Sequence, residues 1–426
     1  SLTFMRVMFK ITALPAIFVL FSELFSDKSN NAIFPIAMSK IKIPFSRVSC
    51  KGNEFDYIKE VIESGWLTTA GKAQRFEELF ARKVEAGYAC AVNSCTAALH
   101  LGLDALGVKA GDKVFVPAMT FTASAEVIRY MNAHPVFLDV EYGTSLITPA
   151  ILNDAIAKHP EVKYLIVVHF GGHPAEMINE DGNAIIDICK KHGIRILEDA
   201  AHAFPASIGG RMVGSLGDIT CFSFYANKTI TTGEGGMLTT NDEELYKRVK
   251  IMRLHGINRD VWDRFTSDKP SWEYDVVAPG YKYNMPDVNA AIGLAQLEQA
   301  DGFKEERVKI AAFYLDKLAD CESIDLPISH VDIKEHAWHL FPIVLNEKAK
   351  ISRNDFIIRM SEAGIGTSVH YKPLFRMSYY KEAYDLRPSD FPNAERIWQG
   401  TVSLPIFPGM SDEELLYVVQ TVRQLL

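Results

Sequence analysis

Residues 194–202 read IRILEDAAH, an apolar run with the pattern of a buried strand that ends at Asp199. Residues 219–224 read ITCFSF, a second run of the same kind, and YANK then brings the chain to Lys228. The small-residue segment TTGEGG follows at 231–236. A carboxylate and a lysine therefore stand just after two predicted strands, each among small residues.

This pair suits pyridoxal phosphate (PLP), which proteins hold through a lysine Schiff base and an acidic partner for the ring nitrogen. Neither residue indicates the cofactor alone, because a lysine before a glycine-rich turn is usually solvated and an aspartate after a strand is usually a helix cap. Their combination favours the cofactor. Lys228 is the candidate catalytic lysine, and Asp199 is the candidate partner of the pyridine nitrogen.

Strand and helix patterns alternate along the first half of the chain. Strands that alternate with helices at this spacing predict an α/β fold whose mainly parallel sheet is covered on both faces. Ligands in such sheets gather at the carboxyl ends of the strands. The predicted strands are 89–92, 113–117, 135–140, 164–169 and 194–197, and the predicted helices are 54–64, 73–83, 97–106, 123–131, 149–158 and 183–192.

After residue 240 the pattern changes. The chain predicts helices at 243–254, 286–299, 303–318, 354–363 and 412–425, and strands at 338–345 and 366–370. The loop 256–277 has the length and mixed character of a segment that either packs at a subunit interface or covers a site. The helix at 303–318 is the expected start of a second domain.

Several ordered motifs resemble the DegT-type sugar-nucleotide aminotransferases, a branch of the fold-type I, aspartate aminotransferase-like PLP enzymes. They are SGW at 64–66, NSCTAALH at 93–100, PAMTF at 117–121, EDAAH at 198–202, FSF at 222–224 before the lysine, and GYKYNM at 280–285. The resemblance begins near Lys40. It implies a large PLP-binding α/β/α domain over 38–290 and a smaller C-terminal α+β domain over 291–426.

Residues 89–106 predict a strand, a small-residue turn and a helix, an arrangement that binds anions because free amides and the helix dipole point at the turn. Serine and threonine at a helix start are equally good plain caps, and composition alone favours the cap. The resemblance reverses that preference, since Ser94, Cys95 and Thr96 match the family's phosphate loop. Cys95 replaces the usual glycine, which matters only if the turn needs a positive φ.

The resemblance implies roles for four further residues. Ser223 would bind the cofactor phosphate, Phe121 would stack on the ring, and His202 would hydrogen-bond the ring's phenolic oxygen. Lys282 stands where the family commonly carries an asparagine that reaches the phosphate of the partner subunit's cofactor, and a lysine can replace that amide as a point charge. A homodimer with shared active sites is therefore expected. Residues 367–374, TSVHYKPL, resemble a further motif near the substrate.

Composition excludes several classes of function. The net charge of −8 argues against a nucleic-acid surface, which usually shows clustered excess lysine and arginine. Six cysteines are scattered without a CxxC pair, a pattern that fits neither a disulfide framework nor a zinc site, and no metal is expected. A reducing, cytoplasmic compartment is the simplest interpretation.

The first 37 residues differ from the rest. An apolar run at 11–21 follows a basic start, but a bilayer span takes about 20 apolar residues, and no convincing signal-peptide cleavage site follows the run. Met38 would make a natural start, so residues 1–37 are interpreted as an extension foreign to the fold, with a real targeting segment as the alternative. No membrane association is expected.

The resemblance implies an aminotransferase that moves an amino group from glutamate to a nucleotide-diphosphate-linked keto-deoxysugar, in the biosynthesis of bacterial amino sugars, surface polysaccharides or glycosylated metabolites. One alternative is a sugar dehydratase of the same family, in which a histidine replaces the Schiff-base lysine; Lys228 argues against it. Another is a regulatory protein that keeps the fold without turnover. An inositol-derived ketone as acceptor also stays open.

Overall fold

The computed structural model describes residues 42–258 and 274–426. Within those ranges the helices, numbered in chain order, are α1 (Glu54–Ser64), α2 (Gly71–Lys83), α3 (Cys95–Leu106), α4 (Ala123–Tyr130), α5 (Pro149–Lys158), α6 (Ile185–His192), α7 (Glu243–Met252), α8 (Asp287–Leu318), α9 (Arg353–Glu362), α10 (Ser378–Tyr384), α11 (Pro392–Gly400) and α12 (Asp412–Leu425). The strands are β1 (Tyr88–Val92), β2 (Lys113–Pro117), β3 (His134–Leu138), β4 (Tyr164–Val168), β5 (Arg195–Asp199), β6 (Ser207–Ile208), β7 (Arg211–Met212), β8 (Ile219–Ser223), β9 (Gly236–Thr240), β10 (Ile324–Asp325), β11 (Phe341–Leu345) and β12 (Thr401–Leu404).

Seven of these strands form the main sheet, in the order β1-β9-β8-β5-β4-β2-β3. From β3 to β8 every neighbouring pair is parallel. β9 pairs antiparallel with both β8 and β1, so β1 again follows the common direction. The mainly parallel α/β sheet predicted from the alternation of strands and helices is confirmed.

Apolar residues cover both faces of this sheet. Phe115 and Leu165 pack into one buried cluster with residues of α5 and α6. Their neighbours Val116 and Ile166 pack into a second cluster with residues of α3, α4 and α7. Successive side chains of a strand point to opposite faces, so the two clusters lie on the two sides of the sheet. Burial on both faces explains why these strands read as continuous apolar runs.

Capping residues explain why several predicted helix bounds coincide with the observed ones, namely those of α1, α5 and α12. α1 ends at Gly65, which adopts the left-handed φ of 73° that glycine accepts without strain. Thr148 caps α5 by accepting from the Ile151 amide, and a proline opens that helix. Ser411 and Glu414 form a capping box at the start of α12.

A three-stranded antiparallel sheet, β10-β11-β12, forms the C-terminal part of the fold. Its core joins Tyr314 of α8, Phe341 of β11 and Val418 of α12, which agrees with the α+β character expected there. α8 passes residue 290 without a break. The division into domains at 38–290 and 291–426 therefore stays a prediction.

The prediction of separate helices at 286–299 and 303–318 was wrong, because α8 runs unbroken from Asp287 to Leu318. Gly302 lies between the two predicted helices, and a glycine in a helix costs about 1 kcal/mol relative to alanine. Ala300 and Phe303 on either side of it are buried in an apolar cluster with α2. Burying one phenylalanine stabilises by roughly 1.5–3 kcal/mol, so packing outweighs the glycine.

The two strands predicted in the C-terminal region also differ from the structure. β11 begins at Phe341 rather than at Trp338, because Trp338 has a φ of 48° and its carbonyl accepts a hydrogen bond from Arg307. Residues 366–370 form no regular strand among those described; Ser368 makes one bridge to Ser403.

Two predicted segments lie wholly or partly outside the described residues: the extension at 1–37, and the loop 256–277, of which 259–273 are not described. In residues 42–258 and 274–426, no helix combines the length and apolar character that crossing a membrane would take.

Candidate active site

The ends of four strands meet at one edge of the main sheet. β1 ends at Val92, β2 at Pro117, β5 at Asp199 and β8 at Ser223. β9 runs the other way, so its first residue, Gly236, lies opposite Ser223 and Val92 at the same edge. A cavity of about 400 Å³ opens there. Apart from Lys282, its lining includes all the residues predicted to bind the cofactor: Ser94, Cys95, Thr96, Phe121, Asp199, His202, Ser223 and Lys228.

Gly236 allows the turn after β1 to lie directly against β9. A Cβ on this glycine would fall 2.5 Å from the carbonyl carbon of Ser94 and 2.6 Å from the nitrogen of Cys95. Both are backbone atoms, which no side-chain rotation could move away. The glycine thus fixes the position of the α3 N-terminus at the cavity.

Ser94 is the N-cap of α3, and its side chain accepts from the Ala97 amide at 3.1 Å. Capping therefore occurs, as composition favoured, yet it uses only one of the first three amides. Within the described chain, the amides of Cys95 and Thr96 have no protein acceptor, and both residues line the cavity. Cys95 is not among the residues with positive φ, so replacing the family's glycine imposes no backbone strain. The helix end can hold an anion.

Asp199 is buried at the floor of the cavity, with 5% of its surface exposed. Its carboxylate accepts hydrogen bonds from the Ser124 hydroxyl at 2.7 Å and from the Ala201 amide at 3.1 Å. Burial raises the pKa of Asp199, while these hydrogen bonds and the nearby Lys228 act in the opposite direction. Sequence reasoning missed Ser124, although its position on the first turn of α4 puts it close to the end of β2.

Lys228 follows β8 and lines the same cavity. Burial lowers the pKa of Lys228 to about 8, against the opposing effects of Cys95 and Asp199. In the described parts of the chain, no side chain pairs with its amino group. Near neutral pH an appreciable fraction of this amine is therefore unprotonated and able to act as a nucleophile.

His202 has both ring nitrogens engaged. Nδ1 accepts from the Gly171 amide at 3.2 Å, and Nε2 lies 3.0 Å from the hydroxyl of Tyr371. Burial lowers the pKa of His202 well below its ordinary value, with Lys228 and His370 adding to the effect. The ring is thus neutral and, with Nδ1 accepting, carries its proton on Nε2. Tyr371 comes from the 367–374 motif and received no role from sequence reasoning.

Phe121 and Ser223 lie at the mouth and wall of the cavity. Phe121 is 55% exposed, so it is not a core aromatic, and its ring centroid is 5.7 Å from that of Tyr371. Ser223 is the last residue of β8, and its oxygen accepts from the Tyr225 amide at 3.4 Å. A ring-stacking surface and a hydroxyl are therefore available where the resemblance implied them.

Lys282 is exposed and does not line the cavity of its own chain. Its amino group donates to the side chain of Asn284, and its carbonyl accepts from the side-chain Nδ2 of Asn93 at 3.4 Å, next to the end of β1. The segment is thus close to the phosphate-loop turn, but the amino group of Lys282 is hydrogen-bonded to Asn284 of the same chain. Its expected reach to a second subunit stays a prediction.

The described residues hold no cluster of three or more histidine, cysteine, aspartate or glutamate side chains suited to a metal ion. His169 sits behind the cavity and donates to Glu198 at 2.8 Å, and both side chains are fully buried. Neither residue of this buried pair lines the cavity.

Comparison with known proteins identifies the group to which this architecture belongs. The sequence model of the DegT/DnrJ/EryC1/StrS aminotransferase family matches residues 49–423. Spore coat polysaccharide biosynthesis protein SpsC of Bacillus subtilis is 42% identical over 385 residues, which are 90% of this chain and 97% of that protein. An uncharacterized protein of Methanocaldococcus jannaschii is 41% identical over 378 residues, 88% of this chain and 96% of that protein.

Among solved structures, the putative sugar aminotransferase Spr1654 from Streptococcus pneumoniae in its PMP form superposes with a TM-score of 0.82 at 32% identity, covering 90% of this chain and 98% of that one. Its PLP form gives a TM-score of 0.81. The expectation of a PLP-dependent group of enzymes is confirmed. With the family model matched over nearly the whole described chain and a relative at 42% identity, this protein belongs to the DegT/DnrJ/EryC1/StrS aminotransferase family.

Proposed function

We propose that this protein is a PLP-dependent aminotransferase that takes an amino group from glutamate and gives it to a nucleotide-diphosphate-linked keto-sugar. The observation that carries the proposal is the convergence of Lys228, Asp199 and the open N-terminus of α3 on one cavity. A buried amine, a buried carboxylate and an anion site form the set of groups that PLP requires. Membership of the family supports the same reaction.

The residues fit the cofactor group by group. The free amides of Cys95 and Thr96 and the hydroxyl of Ser223 would hold the phosphate, and the α3 dipole favours its negative charge. Asp199 would pair with the ring nitrogen, and Phe121 would cover one face of the ring. PLP, when bound, supplies an aldehyde that condenses with amines and a ring that withdraws electrons.

Lys228 has two tasks in this proposal. As a partly unprotonated amine it would hold the cofactor between turnovers, and once released it would take up and return the proton of the substrate carbon that carries the amino group. Its lowered pKa of about 8 suits both tasks, because the same nitrogen must accept and return a proton near neutral pH. Asp199 must stay ionised meanwhile to keep the ring nitrogen protonated.

The choice of substrate rests on relatives. SpsC is named for spore coat polysaccharide biosynthesis and Spr1654 as a putative sugar aminotransferase. We extend from these to a nucleotide-linked keto-sugar as acceptor, used in polysaccharide or amino-sugar biosynthesis. Six cysteines without a disulfide favour a reducing, cytoplasmic setting.

A homodimer with shared active sites belongs to the same proposal. Lys282 is exposed beside the turn after β1, where a second copy could bring the equivalent lysine near the cofactor phosphate. A sugar dehydratase is disfavoured because Lys228 is present rather than histidine. A regulatory homologue is disfavoured because the lysine, the carboxylate and the anion site are all retained.

The test has two stages. Purified protein should carry visible absorbance from bound PLP, and glutamate alone should convert the spectrum to that of pyridoxamine phosphate. A panel of nucleotide-linked keto-sugars is then added to the pyridoxamine form, and the true acceptor restores the original spectrum. Protein that takes up no PLP would refute the proposal, whereas uptake without a response to any amino donor would favour the regulatory alternative.

A further inference from the structure

A chain of two hydroxyl groups ends on the buried carboxylate of Asp199. Thr120 Oγ1 lies 2.9 Å from Ser124 Oγ, and Ser124 Oγ lies 2.7 Å from Asp199 Oδ2. Thr120 follows β2, and Ser124 stands four residues later on the first turn of α4. Both side chains are buried, with exposures of 1% and 0%. Neither hydroxyl belongs to the residues assigned above to the cofactor.

The direction of these hydrogen bonds follows from counting protons. An ionised carboxylate can only accept, so the single hydroxyl hydrogen of Ser124 goes to Asp199. The carbonyl oxygen of Phe121 is an alternative acceptor, but it is neutral and farther away, at 3.3 Å. With its own hydrogen committed, Ser124 can only accept from Thr120. With Asp199 ionised, the hydroxyl of Thr120 therefore donates to Ser124, and the hydroxyl of Ser124 donates to Asp199.

Other groups around Asp199 do not replace this contact. Lys228, His169, Cys95, Cys221 and Tyr371 all lie within electrostatic reach of the carboxylate. His169 gives its Nε2 proton to Glu198 and accepts from the Ala175 amide on Nδ1. Within the described residues, the donors to Asp199 are the Ser124 hydroxyl and the Ala201 amide alone.

We infer that Ser124, backed by Thr120, is a positioning residue that keeps Asp199 ionised and oriented towards the cavity. The inference rests on the proposed function for its consequence, because an ionised Asp199 is what keeps the ring nitrogen protonated. Charge-assisted hydrogen bonds are roughly twice as strong as neutral ones, and a buried carboxylate depends on them most. Ser124 thereby opposes the burial that would otherwise neutralise the acid.

The experiment compares Ser124→Ala and Thr120→Val with Thr122→Val as a matched control. Thr122 lies in the same turn, but its hydroxyl donates to Glu126 and not to Asp199. Ser124→Ala should weaken PLP binding about tenfold or more, the loss expected for one hydrogen bond to a charged group. Thr120→Val should have a smaller effect in the same direction, and the control should bind PLP as the wild type does.

Repeating the comparison in an Asp199→Asn background distinguishes an effect of Ser124 on the charge of Asp199 from a purely structural role. If Ser124 acts through the charge of Asp199, Ser124→Ala should then change PLP affinity by less than about twofold, because the charge that this hydrogen bond stabilises has already been removed. An equal loss of affinity in both backgrounds would overturn the inference.

A second readout does not depend on the cofactor. Because the folded-state pKa of Asp199 is raised, stability is lost as pH rises through that pKa. Ser124→Ala should therefore lose more stability against urea at neutral than at acid pH, and the difference should vanish with Asp199→Asn. If Ser124→Ala lost the same stability at neutral and at acid pH, the inference would be refuted. If the wild type takes up no PLP, the proposed function fails, while this measurement still decides the role of Ser124.

Discussion

Replacing His173 by glutamine should make the protein more resistant to acid. His173 stacks with two other histidines, at centroid distances of 4.2 Å to His330 and 5.2 Å to His336, and we call these three residues the histidine stack. His173 is 3% exposed, and its Nε2 accepts from the His330 amide at 3.2 Å. Glutamine offers an oxygen for that amide without adding a group that titrates.

The magnitude follows from proton linkage. Burial lowers the pKa of His173 from 6.5 to about 3, with the charges of His330 and His169 acting in the same direction. Below pH 6.5 the unfolded chain therefore binds a proton that the folded protein refuses, and stability falls as pH falls. Each pH unit costs about 1.4 kcal/mol, so this histidine costs about 2 kcal/mol between neutral pH and about pH 5.

The assay is the free energy of unfolding in urea at about pH 8 and about pH 5, with PLP present at one fixed concentration. Relative to the wild type, the free energy of unfolding of His173→Gln should rise by about 2 kcal/mol between about pH 8 and about pH 5. His159→Gln, at a partly exposed position 3.8 Å from Glu161, is the matched control outside the stack. If the difference for His173→Gln does not change with pH, the folded protein binds this proton as readily as the unfolded chain, and the linkage argument is refuted.

Three further outcomes are expected. Lys228→Ala should abolish transamination while PLP stays bound without a covalent bond, measured by cofactor content after gel filtration; near-normal turnover would mean that another lysine holds the cofactor. Gly236→Ala should weaken PLP binding by at least about tenfold and lower stability by about 1–3 kcal/mol, because the new Cβ meets backbone atoms 2.5 Å away at Ser94; unchanged PLP titration would show that the turn can shift. Lys282→Glu should weaken PLP binding, and mixing it with Lys228→Ala should restore activity in mixed dimers, since one of the two sites then has both lysines intact. Inactive mixtures with proven exchange would exclude a role across the interface.

The fold was largely predictable because the chain obeys simple periodicity in its first half. Buried parallel strands read as apolar runs, and residues such as Thr148 and Gly65 mark helix ends through local hydrogen bonds that depend on near neighbours. β9 could not be derived in the same way. Its reversed direction depends on pairing with both β1 and β8, and nothing local to residues 236–240 encodes that choice.

The wrong predictions in the C-terminal region arise from long-range contacts, which local sequence patterns do not show. The break expected between residues 299 and 303 does not occur because side chains from α2 and α8 bury each other, a contact between residues far apart in sequence. The segment expected as a strand at 366–370 makes single contacts with two separate parts of the chain instead, through Gly366 to Ile43 and through Ser368 to Ser403. Local propensity is a weak prior wherever long-range packing is available.

The predicted site residues line one cavity because parallel strands deliver their carboxyl ends to one edge, so position along the chain was enough to group them. Their hydrogen-bond partners were not predictable in this way. Ser124 reaches Asp199 from the helix after β2, and Tyr371 reaches His202 although the two residues are 169 positions apart in sequence. A single sequence shows which strands end in polar residues, but not which hydroxyl faces them.

The contact between His202 and Tyr371 changes what the resemblance implies for the ring's phenolic oxygen. Because Nδ1 of His202 accepts from Gly171, its one proton lies on Nε2 and is directed at the Tyr371 oxygen. The hydroxyl hydrogen of Tyr371 is then free to turn towards the cavity that both residues line. Burial raises the pKa of Tyr371 and lowers that of His202, so the tyrosine remains a donor and the histidine remains neutral near physiological pH. A phenolic oxygen in this cavity would therefore meet the hydroxyl of Tyr371 as its donor, with His202 holding that hydroxyl in place.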